Sequence, residues 1–246
     1  MTGQFSVGRF LGNVHFGDQR MPRPPRADVA GEIYHALNRG NGRLTIFHKE
    51  ADYEAFERVL HEGLQKYPVD LIAYQWMSNH WHMVLSPRED GAMSRLMDWV
   101  TMTHTARHHA HYHSAGTGHL YQGRFKSFPI QSDEHFFVVC RYVERNALAA
   151  GLVTAAEDWR FGSLYNWCGG TCGVKLGRWP LPRLPNWIER VNRPIGEKEE
   201  EQLQRAIQRS QPFGDLGWIE STARKYNLES TLRKRGRPRK FPQAAK

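Results

Sequence analysis

Hydrophobic and polar positions divide residues 32–149 into segments with strand-like and helix-like spacing. Alternating and strand-like spacing predicts strands over 32–37, 70–76 and 80–85, with a further strand over 124–130. Apolar residues three and four positions apart predict helices over 50–66, 92–111 and 133–149. The segment Ser132-Asp133-Glu134 offers an N-cap and acidic first-turn residues for the last helix, and Gly151 ends it.

The order of these segments predicts the fold class. Strand, helix, hairpin, helix, strand and helix indicate an α+β fold with a mainly antiparallel sheet and helices packed on one face. After Val153 the chain becomes rich in Trp, Gly and Pro, and charged helices follow around 197–209 and 218–226. The sequence therefore predicts three regions, which are a flexible extension over 1–20, a main domain over 21–167, and accessory helices with a basic tail over 168–246.

The charge balance favours an acidic partner. The formal net charge is +9, because 34 Lys and Arg outnumber 25 Asp and Glu. Nucleic acid is thus the first expectation. The three cysteines complete no zinc-binding pattern and fit a reducing cytoplasm. No apolar run of about 18 residues and no signal architecture occurs, so neither membrane insertion nor export is expected.

The segment NHWHMVL at 79–85 is the first candidate for chemistry. On a strand, His80 and His82 point out of one face while hydrophobic neighbours occupy the other. Two neutral imidazoles at this spacing can reach one divalent ion and leave positions for a third ligand and for substrate oxygens. A chain with thirteen histidines also produces such a pair by chance. His35 either lies near this site or is a packed strand histidine. The histidines over 104–113 could form a second metal cluster, but their irregular placement near a helix end favours a polar, partly protonated surface that meets phosphate.

The segment RYVERN at 141–146 is the second candidate. Tyr142 and Asn146 are four residues apart and share one helical face. Tyr142 could attack a phosphodiester that a metal and arginine activate, and Asn146 could ligate the metal. The alternative interpretation is that Tyr142 packs in the core of an amphipathic helix.

The segment RKRGRPRK at 233–240 is the third candidate. Its Gly-Arg-Pro centre keeps the backbone narrow, and Arg235, Arg237 and Arg239 supply charge for a minor groove or for phosphates. A solvated basic tail without a specific partner is the alternative.

Taken together, these motifs resemble the HUH single-tyrosine, insertion-sequence 200-like transposases, in particular the REP-associated tyrosine transposases. The segment NHWH at 79–82 is similar to the family's His-hydrophobic-His motif, and the segment at 141–153 is similar to its tyrosine helix. The opening strand and loop at 33–40 and the helix start around 46–56 also fit. The resemblance covers about residues 21–167, and the Gly-Arg-Pro ending also occurs in such proteins.

The resemblance implies an RRM-like or ferredoxin-like sheet that binds single-stranded DNA beside hairpins. It implies that His80 and His82 hold Mg²⁺ or Mn²⁺ and that Tyr142 forms a 5′-phosphotyrosine link, which a second 3′-hydroxyl attacks to rejoin the strands. Asn146 stands where many relatives carry Gln as third ligand, with a reach one methylene shorter. The residues expected to contact DNA phosphates in this domain are Arg39, Arg124, Lys126, Arg141 and Arg145.

Three functions remain open at this stage. The first is a metal-dependent DNA transposase, acting as a monomer or homodimer on hairpin-containing repeats in the bacterial cytoplasm, at the nucleoid. The second is a regulator derived from a transposase that binds hairpin DNA with little or no catalysis. The third is a metal nuclease that uses water, and it would survive the loss of the Tyr142 hydroxyl.

Overall fold

The computed structural model describes residues 26–233, and its central element is a four-stranded antiparallel sheet. The strands are β1 (Ile33–Arg39), β2 (Val69–Met77), β3 (His80–Pro87) and β4 (Lys126–Ile130). The helices of this part of the chain are α1 (Glu50–Lys66), α2 (Ala92–His111), α3 (Glu134–Ala149), α4 (Ser163–Trp167), α5 (Trp187–Asn192), α6 (Glu197–Arg209), α7 (Leu216–Lys225) and α8 (Glu229–Leu232).

The strands are arranged in the order β2, β3, β1, β4. β2 and β3 form the predicted hairpin, which turns at Ser78 and Asn79. β1 lies between β3 and β4 and pairs antiparallel with both. In the β1–β3 register, Arg39 lies opposite His80 and Leu37 lies opposite His82. The start of β3 is therefore next to the end of β1.

One face of the sheet packs against α1 and α2. Alternation along β3 turns Trp81, Met83 and Leu85 to this face. There they pack with Phe56 of α1 in a core, and all four side chains are fully buried. Gly63 allows the two helices to approach, since an added Cβ would lie 2.8 Å from the side chain of Leu96. His104 of α2 is also buried here, at 4% exposure. The expectation of a surface role was thus wrong for His104, because the helix turns this position toward the sheet.

The opposite face of the sheet is covered by α3, together with α5 and α6. Val84 and Phe128 from the sheet pack with Phe136 and Val143 of α3 in a second core. The predicted α+β class and mainly antiparallel sheet are confirmed. The helices lie on both faces and not on the single face expected from element order. The physical reason is that β1 and β3 bury residues on both sides, so each side needs a helical cover.

A buried carboxylate joins α3 to the later elements. Glu144 of α3 has no solvent exposure, and it accepts hydrogen bonds from Ser163 Oγ at 2.8 Å and Trp187 Nε1 at 2.6 Å. The guanidinium of Arg183 lies 3.5 Å from Glu144 and 3.7 Å from the ring centroid of Trp179. The segment after α4 therefore packs on the second core, and its assignment as an accessory region remains a prediction.

Most element boundaries agree with the sequence pattern. α1 and α6 begin and end at the predicted residues, whereas β4 begins at Lys126, two residues after the predicted start at Arg124. Within residues 26–233, none of the helices combines the length and the apolar character needed to cross a bilayer. The extension over 1–20 and the tail arginines Arg235, Arg237 and Arg239 lie outside the described residues.

Candidate active site

β3 places His80 and His82 on the face of the sheet that α3 covers. Trp81, between them, lies in the core on the other face. The two imidazole centroids are 5.0 Å apart, and the ring planes are nearly perpendicular. His82 is 3% exposed, and His80, at the start of the strand, is partly exposed. Both histidines of the predicted pair thus lie together at one end of β3.

Each of these histidines has a hydrogen-bond partner at Nδ1. His80 Nδ1 lies 2.6 Å from Asn79 Oδ1, and His82 Nδ1 lies 2.9 Å from Nε2 of His35. His35 is fully buried on β1, so both open interpretations of it are correct: it is a packed strand histidine and it contacts the site. The Nε2 atoms of His80 and His82 are left as the atoms that could bind a metal.

α3 brings Tyr142 and Asn146 to the same place. The Tyr142 ring stands edge-on to the His82 ring, with centroids 5.6 Å apart and an interplanar angle of 90°. The Asn146 side chain hydrogen-bonds with His80 and with Tyr142, and each bond opposes the larger effect of burial on the pKa of its partner. Tyr142 also packs against the second core. Its ring therefore has the structural role that is the alternative to catalysis, while its hydroxyl group hydrogen-bonds with Asn146, which also bonds to His80.

Burial keeps His80, His82 and Tyr142 uncharged at neutral pH. Burial and the nearby charge of Arg39 lower the pKa of His80 to about 4, and burial lowers the pKa of His82 well below its usual value. Burial also raises the pKa of Tyr142, against the opposing effect of its hydrogen bonds. At pH 7 both imidazoles are neutral, which is the form that ligates metals, and Tyr142 carries its proton.

α6 supplies a contact that the sequence analysis missed. Gln204 Nε2 donates a hydrogen bond to the Tyr142 hydroxyl at 3.3 Å. The charge of Glu200, one turn earlier on α6, raises the pKa of Tyr142. The spacing of apolar residues predicts α6 itself, but nothing in that pattern indicates that α6 packs beside α3, 62 residues earlier in the chain.

The predicted phosphate-binding residues of this domain differ in their surroundings. Arg39 lies close enough to His80, His82 and Tyr142 to affect the pKa of all three. Arg141 already has hydrogen-bond partners within the protein. Its guanidinium donates to the backbone oxygens of Arg193 at 3.1 Å and Pro194 at 2.6 Å, just after α5.

The remaining three residues of this set show no equivalent bond. Arg124 and Lys126 are exposed, and Arg145 is partly buried on α3 beside Asn146. No measurement on the structure tests DNA contact by these residues, which stays a prediction.

A second group of potential ligands lies at the start of α3, where the sequence analysis proposed none. Ligand atoms of Asp133, His135 and Asp215 all lie within 4.8 Å of one another. Asp133 already has a structural role, because its carboxylate accepts from the backbone N–H of His135 at 2.9 Å and caps the helix. Tyr142 is nine residues further along α3, or about 13 Å along the helix axis. This group is therefore separate from the histidines of β3.

The comparisons with known proteins agree with this fold. Residues 28–146 match the family model described as "Transposase IS200 like". A structure described as a REP-associated tyrosine transposase bound to a REP hairpin matches with a TM-score of 0.51 and 17% identity, over 64% of this chain and 93% of that one. Another, described as "a putative transposase" from Deinococcus radiodurans, matches with a TM-score of 0.35 and 17% identity, over 50% of this chain and 96% of that one. No curated protein matches the chain.

The four strands of the sheet, including the strand that carries His80 and His82, and most of the helix that carries Tyr142 lie within the segment that matches this transposase family model. This match covers just under half of the chain and agrees with the resemblance to IS200-like transposases found in the sequence.

Proposed function

We propose that the protein cleaves and rejoins single-stranded DNA through Tyr142, with Mg²⁺ or Mn²⁺ held by His80, His82 and Asn146. The observation that carries this proposal is the edge-on placement of Tyr142 against His82, one helical turn from Asn146. Tyr142 and three neutral side chains that could bind a metal, from two separate elements, are thus neighbours, which supports the proposal. A chance His-x-His pair would not be expected to face a tyrosine and an amide.

The residues present fit a divalent cation. Their donor set is two imidazole nitrogens and one amide oxygen, and the hydrogen bonds at Nδ1 leave Nε2 of both histidines for coordination. Incomplete protein coordination leaves positions for phosphate oxygens, as is usual for Mg²⁺. When bound, the cation would neutralise charge on the phosphate oxygens and favour the ionised form of the tyrosine hydroxyl.

In the proposed reaction, Tyr142 Oη attacks a DNA phosphorus. The Oη–P bond forms and the P–O3′ bond breaks, so the DNA is held as a 5′-phosphotyrosine and the 3′ oxygen takes up a proton. Attack by another 3′-hydroxyl reverses these bonds and releases Tyr142. Because no water is consumed, the bond energy needed for rejoining is retained in the phosphotyrosine.

The proposed substrate is DNA with hairpins from repeated sequences, on the bacterial chromosome in the cytoplasm. The structural relative bound to a REP hairpin supports this choice, as does the net charge of +9. The charge of Arg39 acts on both histidines, and this residue would contact the phosphate that reacts, while Arg124, Lys126 and Arg145 would hold neighbouring phosphates. Dimer formation is a further expectation that this proposal does not require.

A regulator that binds hairpin DNA with little catalysis is the second candidate. One observation favours this second candidate: the Tyr142 hydroxyl already accepts a hydrogen bond from Gln204 of α6, so that helix lies beside it. In that case DNA would bind to the basic surface while the tyrosine stays covered.

The deciding experiment incubates labelled hairpin DNA with wild type, Tyr142→Phe and Tyr67→Phe in Mn²⁺, Mg²⁺ or EDTA, followed by denaturing gels. Tyr67, at the end of α1, is a matched control outside the site. We expect a metal-dependent covalent adduct with wild type and Tyr67→Phe, and none with Tyr142→Phe. Binding without an adduct would favour the regulator, and cleavage by Tyr142→Phe would indicate a water nucleophile.

A further inference from the structure

Each of the two histidines of β3 has a hydrogen-bond partner at Nδ1, the ring nitrogen that is not available to the candidate metal. For His80 the neighbour is the Oδ1 atom of Asn79, at 2.6 Å. For His82 it is the Nε2 atom of His35, at 2.9 Å. A neutral imidazole carries one proton, on Nδ1 or on Nε2, so these neighbours can decide which nitrogen keeps a free lone pair.

The orientation of Asn79 is fixed by a further bond. Its Nδ2 group donates to the backbone oxygen of Arg43 at 3.2 Å, so its Oδ1 atom is the one that faces His80. An amide oxygen only accepts hydrogen bonds, and His80 must therefore donate from Nδ1. The lone pair of His80 is then on Nε2.

His35 has a less polar environment than Asn79. It has no solvent exposure, its ring plane lies at 19° to that of His82 with the centroids 5.1 Å apart, and the ring of Phe128 lies 4.9 Å away on centroids. Its Nδ1 atom is buried and has no partner among residues 26–233. The hydrogen bond to His82 is thus the one polar contact of the His35 side chain within the described residues.

A proton shared between His35 and His82 can be arranged in two ways. Either His82 Nδ1 donates to His35, which leaves a lone pair on His82 Nε2, or His35 donates and His82 Nε2 carries the proton. The charge of Arg39 acts on both His80 and His82. A cation beside the site favours a lone pair over an N–H group pointing into it, so the charge of Arg39 favours the first arrangement.

We infer that His35 and Asn79 are positioning residues that hold His82 and His80 as Nδ1-protonated imidazoles, with both Nε2 lone pairs directed at the metal. This inference rests on the metal site of the proposed function and adds the residues that prepare it. Groups of this kind typically contribute 10- to 100-fold to metal affinity.

The test titrates Mn²⁺ into the full-length protein without DNA and detects free Mn²⁺ by electron paramagnetic resonance. We expect His35→Leu and Asn79→Ala to weaken Mn²⁺ binding about 10- to 100-fold. His35→Gln keeps an acceptor near the position of Nε2, and it should restore affinity to within about threefold of wild type. His104→Leu removes a different buried histidine and should leave the affinity unchanged.

A second measurement reads the proton position directly. In protein labelled with ¹⁵N at histidine, long-range proton–nitrogen spectra should show His80 and His82 protonated at Nδ1, and His35→Leu should shift His82 toward protonation at Nε2. Protonation of His82 at Nε2 in the wild type would overturn the inference. Unchanged Mn²⁺ affinity in His35→Leu, when the wild type binds Mn²⁺, would overturn this inference alone. A wild type that binds no Mn²⁺ would overturn the proposed metal site and this inference together.

Discussion

Buried histidines illustrate, at the residue scale, what a sequence pattern can and cannot predict. The alternation of β3 correctly puts His80 and His82 on one face, because strand geometry has a period of two. The contact of His35 with His82 was left open, since it depends on the pairing of β1 with β3, which the spacing within each strand does not specify. The run of histidines at the end of α2 predicts a polar surface, and this prediction is wrong for His104, which is buried.

The burial of His104 predicts a pH dependence of stability. Its Nδ1 atom lies 2.6 Å from the Tyr121 hydroxyl, its ring stacks near Phe47, and burial lowers its pKa to about 3, against about 6.5 in the unfolded chain. Between these values the unfolded chain binds a proton and the folded chain does not. The free energy of unfolding should therefore fall as the pH drops from about 6.5, by about 1.4 kcal/mol per pH unit for this group.

Urea unfolding at pH 7, 6 and 5 tests this expectation. His104→Gln should show a weaker dependence on pH than wild type, by about that amount. His119→Gln, at an exposed position, is the control and should follow the wild type. A His104→Gln variant whose stability changes with pH as steeply as that of wild type would contradict the prediction.

At the scale of elements, α3 combines the candidate chemistry with the attachment of the following segment. Tyr142 and Asn146 share one face, as the four-residue spacing predicts, and Glu144 between them points into the second core. A glutamate in an amphipathic helix suggests a solvated position. Its burial could not be predicted, because its partners Ser163 and Trp187 come 19 and 43 residues later.

Removal of this carboxylate should destabilise the fold strongly. Glu144→Ala leaves the guanidinium of Arg183 without its buried partner and removes two hydrogen bonds, so we expect a loss of about 3–5 kcal/mol in the free energy of unfolding. Burial raises the pKa of Glu144, which shows that desolvation opposes its charge even with these partners.

Glu134→Ala is the matched control for this change. Glu134 lies in the first turn of the same helix and is exposed, so its loss should cost less than about 1 kcal/mol. Denaturant unfolding at pH 7 measures both variants. Equal effects of the two substitutions would be evidence against an anchoring role of Glu144.

At the scale of the whole molecule, the arginines that pair with carboxylates differ from the tail arginines, for which the sequence alone predicts a partner. Arg107 pairs with Glu62 at 2.8 Å, Arg160 bridges two glutamates of α1, and Arg88 pairs with Asp70. These arginines are already compensated. The tail arginines lie outside the described residues, and the sequence around them predicts contacts with DNA phosphates.

A salt titration of DNA binding separates these two classes. The triple substitution of Arg235, Arg237 and Arg239 by alanine should make the slope of log affinity against log salt concentration less steep by about 2–3. The same substitutions at Arg88, Arg107 and Arg160 keep the change in formal charge equal and should alter the slope much less. Equal slopes for wild type and the tail variant would exclude phosphate contacts by these three residues.

The strand order has a consequence for how this domain tolerates insertions and deletions. β1 and β3 are the two inner strands, and each is hydrogen-bonded on both sides. A deletion of one residue within β3 would turn His80 and His82 into the core with α1 and α2, and Trp81 toward Tyr142. Changes of chain length should therefore accumulate in the connections between α2 and β4 and between α4 and α5, while the lengths of the two inner strands stay fixed.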